Sequence, residues 1–327
     1  MIPLLRAGCL VALIGVAGSW PAAAVAQAKS YPNKPIRLVN PYTPGGTVDL
    51  VARTIAQKLT ETWGLPVIVD NRPGAGTTIG TEIVAHAVPD GYTLLQTSGT
   101  IAANVTLYPK LSFHPVKDLA PIAMIVESPY VFVVHPSLPA KSVRELVAIA
   151  KKRPGEMNYA SGGVGSAQHI PMELLKAMTG IEIVHVAYKG LTPAFNDVLA
   201  GQVPMMVSGL VTSLPYHRSG RLRILGTTGT KRTSATPDVP TVAEAGLPGY
   251  EADSWTGVIV PRGTPPDIVA QIYAEVVRVS QMSDTRERLL ASGFEVVGSS
   301  SEAFAALIRN DTARLGKVIR DAGIRAE

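Results

Sequence analysis

The chain has 327 residues, 46% hydrophobic and 17% charged, with net charge +5 and one cysteine. That length allows more than one average domain, so two lobes held by their own cores are expected. The mild charge with no basic block argues against a nucleic-acid partner, and a lone Cys9 leaves no disulfide and no thiolate metal site.

In chain order, Met1–Arg6 carries one positive charge and Ala7–Trp20 is mostly apolar. Pro21–Ala28 offers small residues at cleavage spacing. This three-part layout reads as a secretory signal peptide over residues 1–28, cut after Ala26 or Ala28. The apolar run is too short to span a bilayer comfortably. The body is therefore expected outside the cytoplasm, without Cys9.

The body then alternates. Strands are expected at 36–40, 66–70 and 92–96, with helices at 48–62 and 78–87 between them. This βαβαβ rhythm predicts a parallel arrangement with helices on its faces. Two strands follow at 122–126 and 131–135. A second block predicts a helix at 142–152, with Ser142 as N-cap and Glu145 completing a capping box. It continues with strands at 157–160, 182–187, 203–207 and 222–225, and helices at 166–178 and 193–200. Residues 227–250 read as connection plus one short helix near Val242. The tail predicts a strand at 254–260, a helix at 266–281, a strand at 294–297 and a long helix at 301–321. It is too small for a domain and is expected to return to the first lobe, giving a hinged clamshell with a cleft between the lobes.

No G-x-S-x-G or S-x-x-K occurs, and the six histidines never form H-x-x-x-H. What recurs is a Gly- and hydroxyl-rich turn between a strand and a helix. The first is Pro41-Tyr-Thr-Pro-Gly-Gly-Thr-Val-Asp49; the second is Tyr159-Ala-Ser-Gly-Gly-Val-Gly-Ser-Ala-Gln-His169. Each sets amide N–H groups at the positive end of a helix, where a carboxylate binds without an arginine. One such turn per block points to a shared cleft. Asp49 reads as a ligand for an amine or as a capping partner, His169 as a donor or a packed histidine, and Tyr188 as a cleft or a packed residue. Ser98 and Ser208-Gly209 end strands at the carboxyl edge, where open sheets bind ligands.

These segments, together with Val69-Asp-Asn-Arg-Pro-Gly-Ala-Gly76, Pro89-Asp-Gly-Tyr92, His185-Val-Ala-Tyr-Lys-Gly190 and Ser254-Trp-Thr-Gly257, resemble the Bug-type solute-binding proteins of tripartite tricarboxylate transporters. The likeness runs from about residue 31 to the C-terminus. It implies a two-lobe periplasmic-binding-protein (Venus flytrap) clamshell, each lobe a mixed sheet flanked by helices. Lobe 1 would comprise 29–128 plus 252–327, and lobe 2 129–251. The implied function is capture of a small organic carboxylate for membrane permease subunits or a sensor, by a monomer without cofactor or metal. The implied ligand set is Tyr42, Pro44, Gly45, Gly46, Thr47 and Asp49 on one jaw, and Ser161, Gly165, Ser166 and His169 on the other. Ser98, Tyr188 and Ser208 would form side walls. Ser208 stands where many relatives carry an acidic residue. Val48 replaces a frequent polar residue, and Thr77-Thr-Ile precedes Gly80 where many relatives have a further glycine. The competing reading is an exported α/β enzyme acting on a carboxylate, for which Asp49 and His169 are the available acid–base pair.

Overall fold

The structure, a computed structural model, describes residues 31–252 and 254–325, so the expected signal peptide lies outside the described residues. The elements run β1 (Ile36–Asn40), α1 (Thr47–Trp63), β2 (Val67–Asn71), α2 (Thr78–Ala85), β3 (Thr93–Ser98), α3 (Thr100–Leu107), β4 (Leu119–Ser128) and β5 (Tyr130–Val134). Then come α4 (Val143–Lys152), β6 (Asn158–Ser161), α5 (His169–Thr179), β7 (Val184–Ala187), α6 (Leu191–Leu199), β8 (Met205–Gly209), α7 (Leu210–Arg218) and β9 (Arg223–Thr227). The chain finishes with β10 (Ser254–Pro261), α8 (Pro266–Ser280), α9 (Ser283–Ala291), β11 (Glu295–Val296) and α10 (Ser301–Asp321).

Two mixed sheets result, each flanked by helices. The first has the order β11-β4-β10-β3-β1-β2, and the second β7-β6-β8-β5-β9. β1 is parallel to β2 and β3, whereas β10 runs antiparallel to β3 and β4. In the second sheet β6 is parallel to β7 and β8, while β5 is antiparallel to β8 and β9. Both tail strands, β10 and β11, pair in the first sheet.

Local chemistry explains the helices that the sequence revealed. α1 buries Val51, Ile55 and Leu59 along one face and stops at Gly64, which takes a left-handed conformation. Ser142 caps α4 by accepting from the Glu145 amide at 3.1 Å. The Glu145 carboxylate reaches back to the Lys141 amide at 2.8 Å, one residue beyond the usual box.

Among the described residues, three α-helices were not anticipated. α3 buries Ile101, Ala102, Ala103, Asn104 and Leu107, so it shows no polar face. α7 contains Pro215 in its interior. α9 is largely charged and buries only Thr285 and Leu289. The short helix expected near Val242 does not form. There the Val242 amide bonds to the Thr227 carbonyl at 2.8 Å, and Thr241 bridges to Thr227, which holds the segment against β9 instead.

The chain crosses between the sheets twice. Pro129 alone separates β4 from β5, and the return leads from β9 to β10. The two crossings are tied together. The Thr228 amide donates to the Tyr130 carbonyl at 2.9 Å, and the Ala252 amide donates to the Thr228 carbonyl at 3.1 Å. Ser128 and Ser254 are paired at the end of β4 and β10. A second connection between the sheets is apolar. Val318 and Ile319 of α10 share a buried cluster with Leu107 of α3 and Ile170 of α5.

Candidate functional site

A cavity of about 170 Å³ lies where the two sheets meet. The first-sheet side contributes Tyr42, Gly46, Thr47 and Ser98; the second-sheet side contributes Gln168, Leu191 and Thr212. The crossing segments form another wall through Ser128, Pro129, Tyr130 and Ser254. Among the described residues, none lining this cavity carries a charge. The polarity comes from hydroxyls, one amide and main chain.

Helix N-termini open on the cavity. α1 has Gly46 as its N-cap with no side-chain cap, and its first internal bond runs from the Leu50 amide to the Gly46 carbonyl at 3.0 Å. The amides of the first turn are thus left without intrahelical partners. Gly209 and Gly190 begin α7 and α6 in the same way, without side-chain caps. Gly209 and Leu191 line the cavity. The first residues of α1, α6 and α7 thus border one space, and the positive end of a helix dipole favours an anion.

Asp49 does not face that space. Its Oδ1 accepts from Asn40 Nδ2 at 3.0 Å and Asn71 Nδ2 at 2.8 Å. Its Oδ2 accepts from the Gly45 amide at 2.9 Å and Arg53 Nε at 2.8 Å. Burial alone would raise its pKa. The bonds from Arg53, Asn71 and Gly45, with the Arg53 charge, outweigh burial and hold it below the usual carboxylate value. Asp49 is the brace of the turn. Pro44 and Gly45 form the exposed crest, where Gly45 has φ +81°. The turn aims Gly46 and Thr47 at the cavity.

Tyr42 joins a hydroxyl cluster, 2.5 Å from Ser98 Oγ and 2.6 Å from Thr100 Oγ1. Burial pushes its pKa up, against the lowering effect of those hydroxyls, so it stays a neutral phenol.

The second turn differs from expectation at its end. α5 starts at His169, not Ser166, because the Ser166 amide turns back to the Gly163 carbonyl at 3.1 Å. Ala167 and Gln168 reach the cavity from this loop; Ser161, Gly165, Ser166 and His169 do not line it. Ser161 Oγ donates to the Gly163 carbonyl and accepts from the Gly163 amide, each at 3.0 Å. The Gly165 amide donates to His169 Nδ1 at 3.0 Å. Ser166 Oγ is buried with no hydrogen-bond partner among the described residues.

Two side-wall residues also lie outside the lining. Tyr188 donates its hydroxyl to Asp197 at 2.6 Å and packs against the second-sheet core. That bond to a carboxylate, with burial, pushes its pKa up to about 12. Ser208 is fully buried within β8, and the next residue, Gly209, takes the wall position. The Asp49–His169 pair required by an enzyme is not assembled at the cavity, since neither residue lines it.

Sequence reasoning missed Tyr130, Gln168 and Thr212, and read Gly209 only as a strand end beside Ser208. The signal for Thr212 was present: Ser208-Gly209 ends a strand and precedes Leu210 to Arg218, a third strand–glycine–helix turn. Tyr130 was hidden because a crossing segment carries no periodicity.

Comparison with known proteins places this geometry in context. Residues 51–324 match the family model described as "Tripartite tricarboxylate transporter family receptor". Protein BugT of Bordetella pertussis is 35% identical over 320 residues, covering 97% of this chain and 96% of the relative. The structure of R. palustris Rpa4515 with adipate is similar at TM-score 0.82 and 36% identity, covering 90% of this chain and all of that one. MatC from Rhodopseudomonas palustris with bound malate is similar at TM-score 0.79 and 34% identity, covering 88% of this chain and 100% of that chain.

Proposed function

This chain belongs to the tripartite tricarboxylate transporter receptor family, and on that premise we propose that its cleft captures a small organic carboxylate outside the cytoplasm. The observation that carries the reading is the uncapped N-terminus of α1 opening on a cavity with no charged lining side chain among the described residues. A carboxylate there is held by main-chain donors and hydroxyls that need no counter-ion and lose little entropy on binding. Adipate in one relative and malate in another support an acid as the solute class.

In this reading Gly46 and Thr47 hold one carboxylate from the first lobe, residues 29–128 with 252–327. Tyr42 and Ser98 supply hydroxyls beside it. The second lobe, residues 129–251, closes over the solute with Gln168 and Thr212. Pro44, Gly45, Asp49, Ser161, Gly165, Ser166 and His169 shape the two turns, while Tyr188 and Ser208 support the wall behind. Closure about the crossing at 128–130 and the return strand paired to it through Ala252 and Ser254 traps the solute, which passes unchanged to membrane permease subunits or a sensor. The protein acts as a monomer, without catalysis.

A thermal-shift panel of carboxylates and neutral analogues tests this on protein lacking residues 1–28. A solute at ~100 times its dissociation constant adds about 2.7 kcal/mol of stability. A shift with an acid that is recovered intact supports capture. Consumption of that acid overturns the binding reading in favour of an enzyme.

A further inference from the structure

Beneath the 161–169 loop lies a cluster of stacked rings that is no part of the cavity lining. His169 and His185 stack with ring centroids 4.1 Å apart and planes 14° apart, and Tyr159 stacks on His185 at 4.8 Å. His185 holds the start of the loop at Ser161, and His169 holds its middle at Gly165. His169 Nδ1 accepts the Gly165 amide, which requires that nitrogen to be unprotonated. The proton of neutral His169 therefore sits on Nε2, 3.7 Å from Glu173 Oε1. His185 Nε2 lies 2.6 Å from Ser161 Oγ. Ser161 Oγ also meets the Gly163 carbonyl and amide at 3.0 Å each, so the His185 tautomer sets which way the Nε2–Oγ bond runs.

We infer that His169 and His185 are positioning residues: a neutral stacked pair that fixes the shape of the loop presenting Ala167 and Gln168 to the cavity. This rests on the reading of the cleft as the solute site. The charged and titratable groups facing the pair are Glu173 and Lys176 on α5 and Tyr159 on β6. Glu173 Oε1 is held by Tyr159 Oη at 2.6 Å and Lys176 Nζ at 2.7 Å, so its charge is already shared. A second positive charge on stacked rings at 4.1 Å is disfavoured by repulsion. Burial, then His185, lowers the His169 pKa to about 4, with Glu173 pulling the other way. A proton on Nδ1 would set donor against donor at Gly165 and free the middle of the loop.

The test begins without solute. Long-range ¹H–¹⁵N spectra of the exported protein between pH 7 and pH 4 report the His169 tautomer and the Gly165 amide together. The expected result is an Nε2–H tautomer at pH 7 and a Gly165 amide that moves with the His169 midpoint. His169→Asn offers Oδ1 in place of Nδ1, keeps the amide position and removes its titration. His169→Phe keeps a ring but no acceptor and displaces it. Adipate affinity follows the same split: within about threefold for His169→Asn and down about tenfold for His169→Phe. His185→Phe, at a half-buried position, is the second variant should His169→Phe not fold, and it too weakens adipate. A Gly165 amide that ignores His169 titration overturns the inference. So does a Phe variant, at 169 or 185, with wild-type amide shifts and adipate affinity. If no acid of the panel binds, the capture reading fails, while the solute-free amide data still decide the role of the histidines.

Discussion

The amide of Gly45 donates to Asp49 Oδ2 at 2.9 Å, so the acid of the first turn holds the turn closed from inside. With Asn40, Asn71 and Arg53 on the same carboxylate, Asp49 spends its acceptor capacity on the protein. Asp49→Ala removes the acceptor shared by the buried Asn40 amide, the Asn71 amide, the Gly45 N–H and the exposed Arg53 guanidinium. It is expected to cost about 2–3 kcal/mol of stability. Urea unfolding measures this; a change below about 0.5 kcal/mol would mean the brace is dispensable.

Gly46 separates folding from capture. A Cβ added there meets only the Thr43 carbonyl oxygen, at 3.6 Å, and its φ of −80° suits any residue. Gly46→Leu is therefore expected to fold with a loss of about 1 kcal/mol, the ordinary cost of an apolar N-cap. Its side chain fills the cavity mouth, so solute binding is lost. Paired thermal unfolding and solute titration check both halves.

The His169 pair gives stability a pH dependence of defined sign. Its folded pKa is about 4 against 6.5 for the free side chain. Between those values the unfolded chain binds the proton and the folded chain does not. Stability therefore falls as pH drops through 6.5 toward 4, by about 3 kcal/mol in full, and is flat in this respect above and below. His169→Asn removes this component. Denaturation at pH 7, 5.5 and 4.5 on both proteins measures it.

Ile170 joins the two halves away from the crossings, packed with Leu107, Val318 and Ile319. Ile170→Ala is expected to cost about 2–4 kcal/mol through the cavity left behind. A loss that small surface changes match would show that this seam is not a packed core. Urea midpoints at constant slope decide it.

Where the sequence carried a period or a cap, it placed the element. The strands at 36–40 and 254–261 are short, nearly continuous buried runs with clear stops, and α1 and α10 carry helical apolar spacing. α3, α7 and α9 were hidden for physical reasons. One is buried on nearly every side, one holds a proline, and one is mostly solvated. The same division runs through the site. Gly46 and Thr47 are readable because a helix must start there with free amides. Ser161, His169 and Tyr188 are polar residues whose partners come from elsewhere: His185, Gly165 and Asp197. Only the packing shows that these bonds point inward. Tyr130 and Ser254 enter the cavity because the two crossings lie side by side, a long-range pairing that no local pattern encodes.

The most direct measurement of the central claim is calorimetric titration of the best acid in the panel and of its neutral amide, on the exported protein and on Gly46→Leu. The account predicts one site that takes the acid, rejects the amide by at least about tenfold, disappears in Gly46→Leu and returns the acid unchanged. Equal binding of acid and amide, or full binding in Gly46→Leu, would contradict a carboxylate held at the N-terminus of α1.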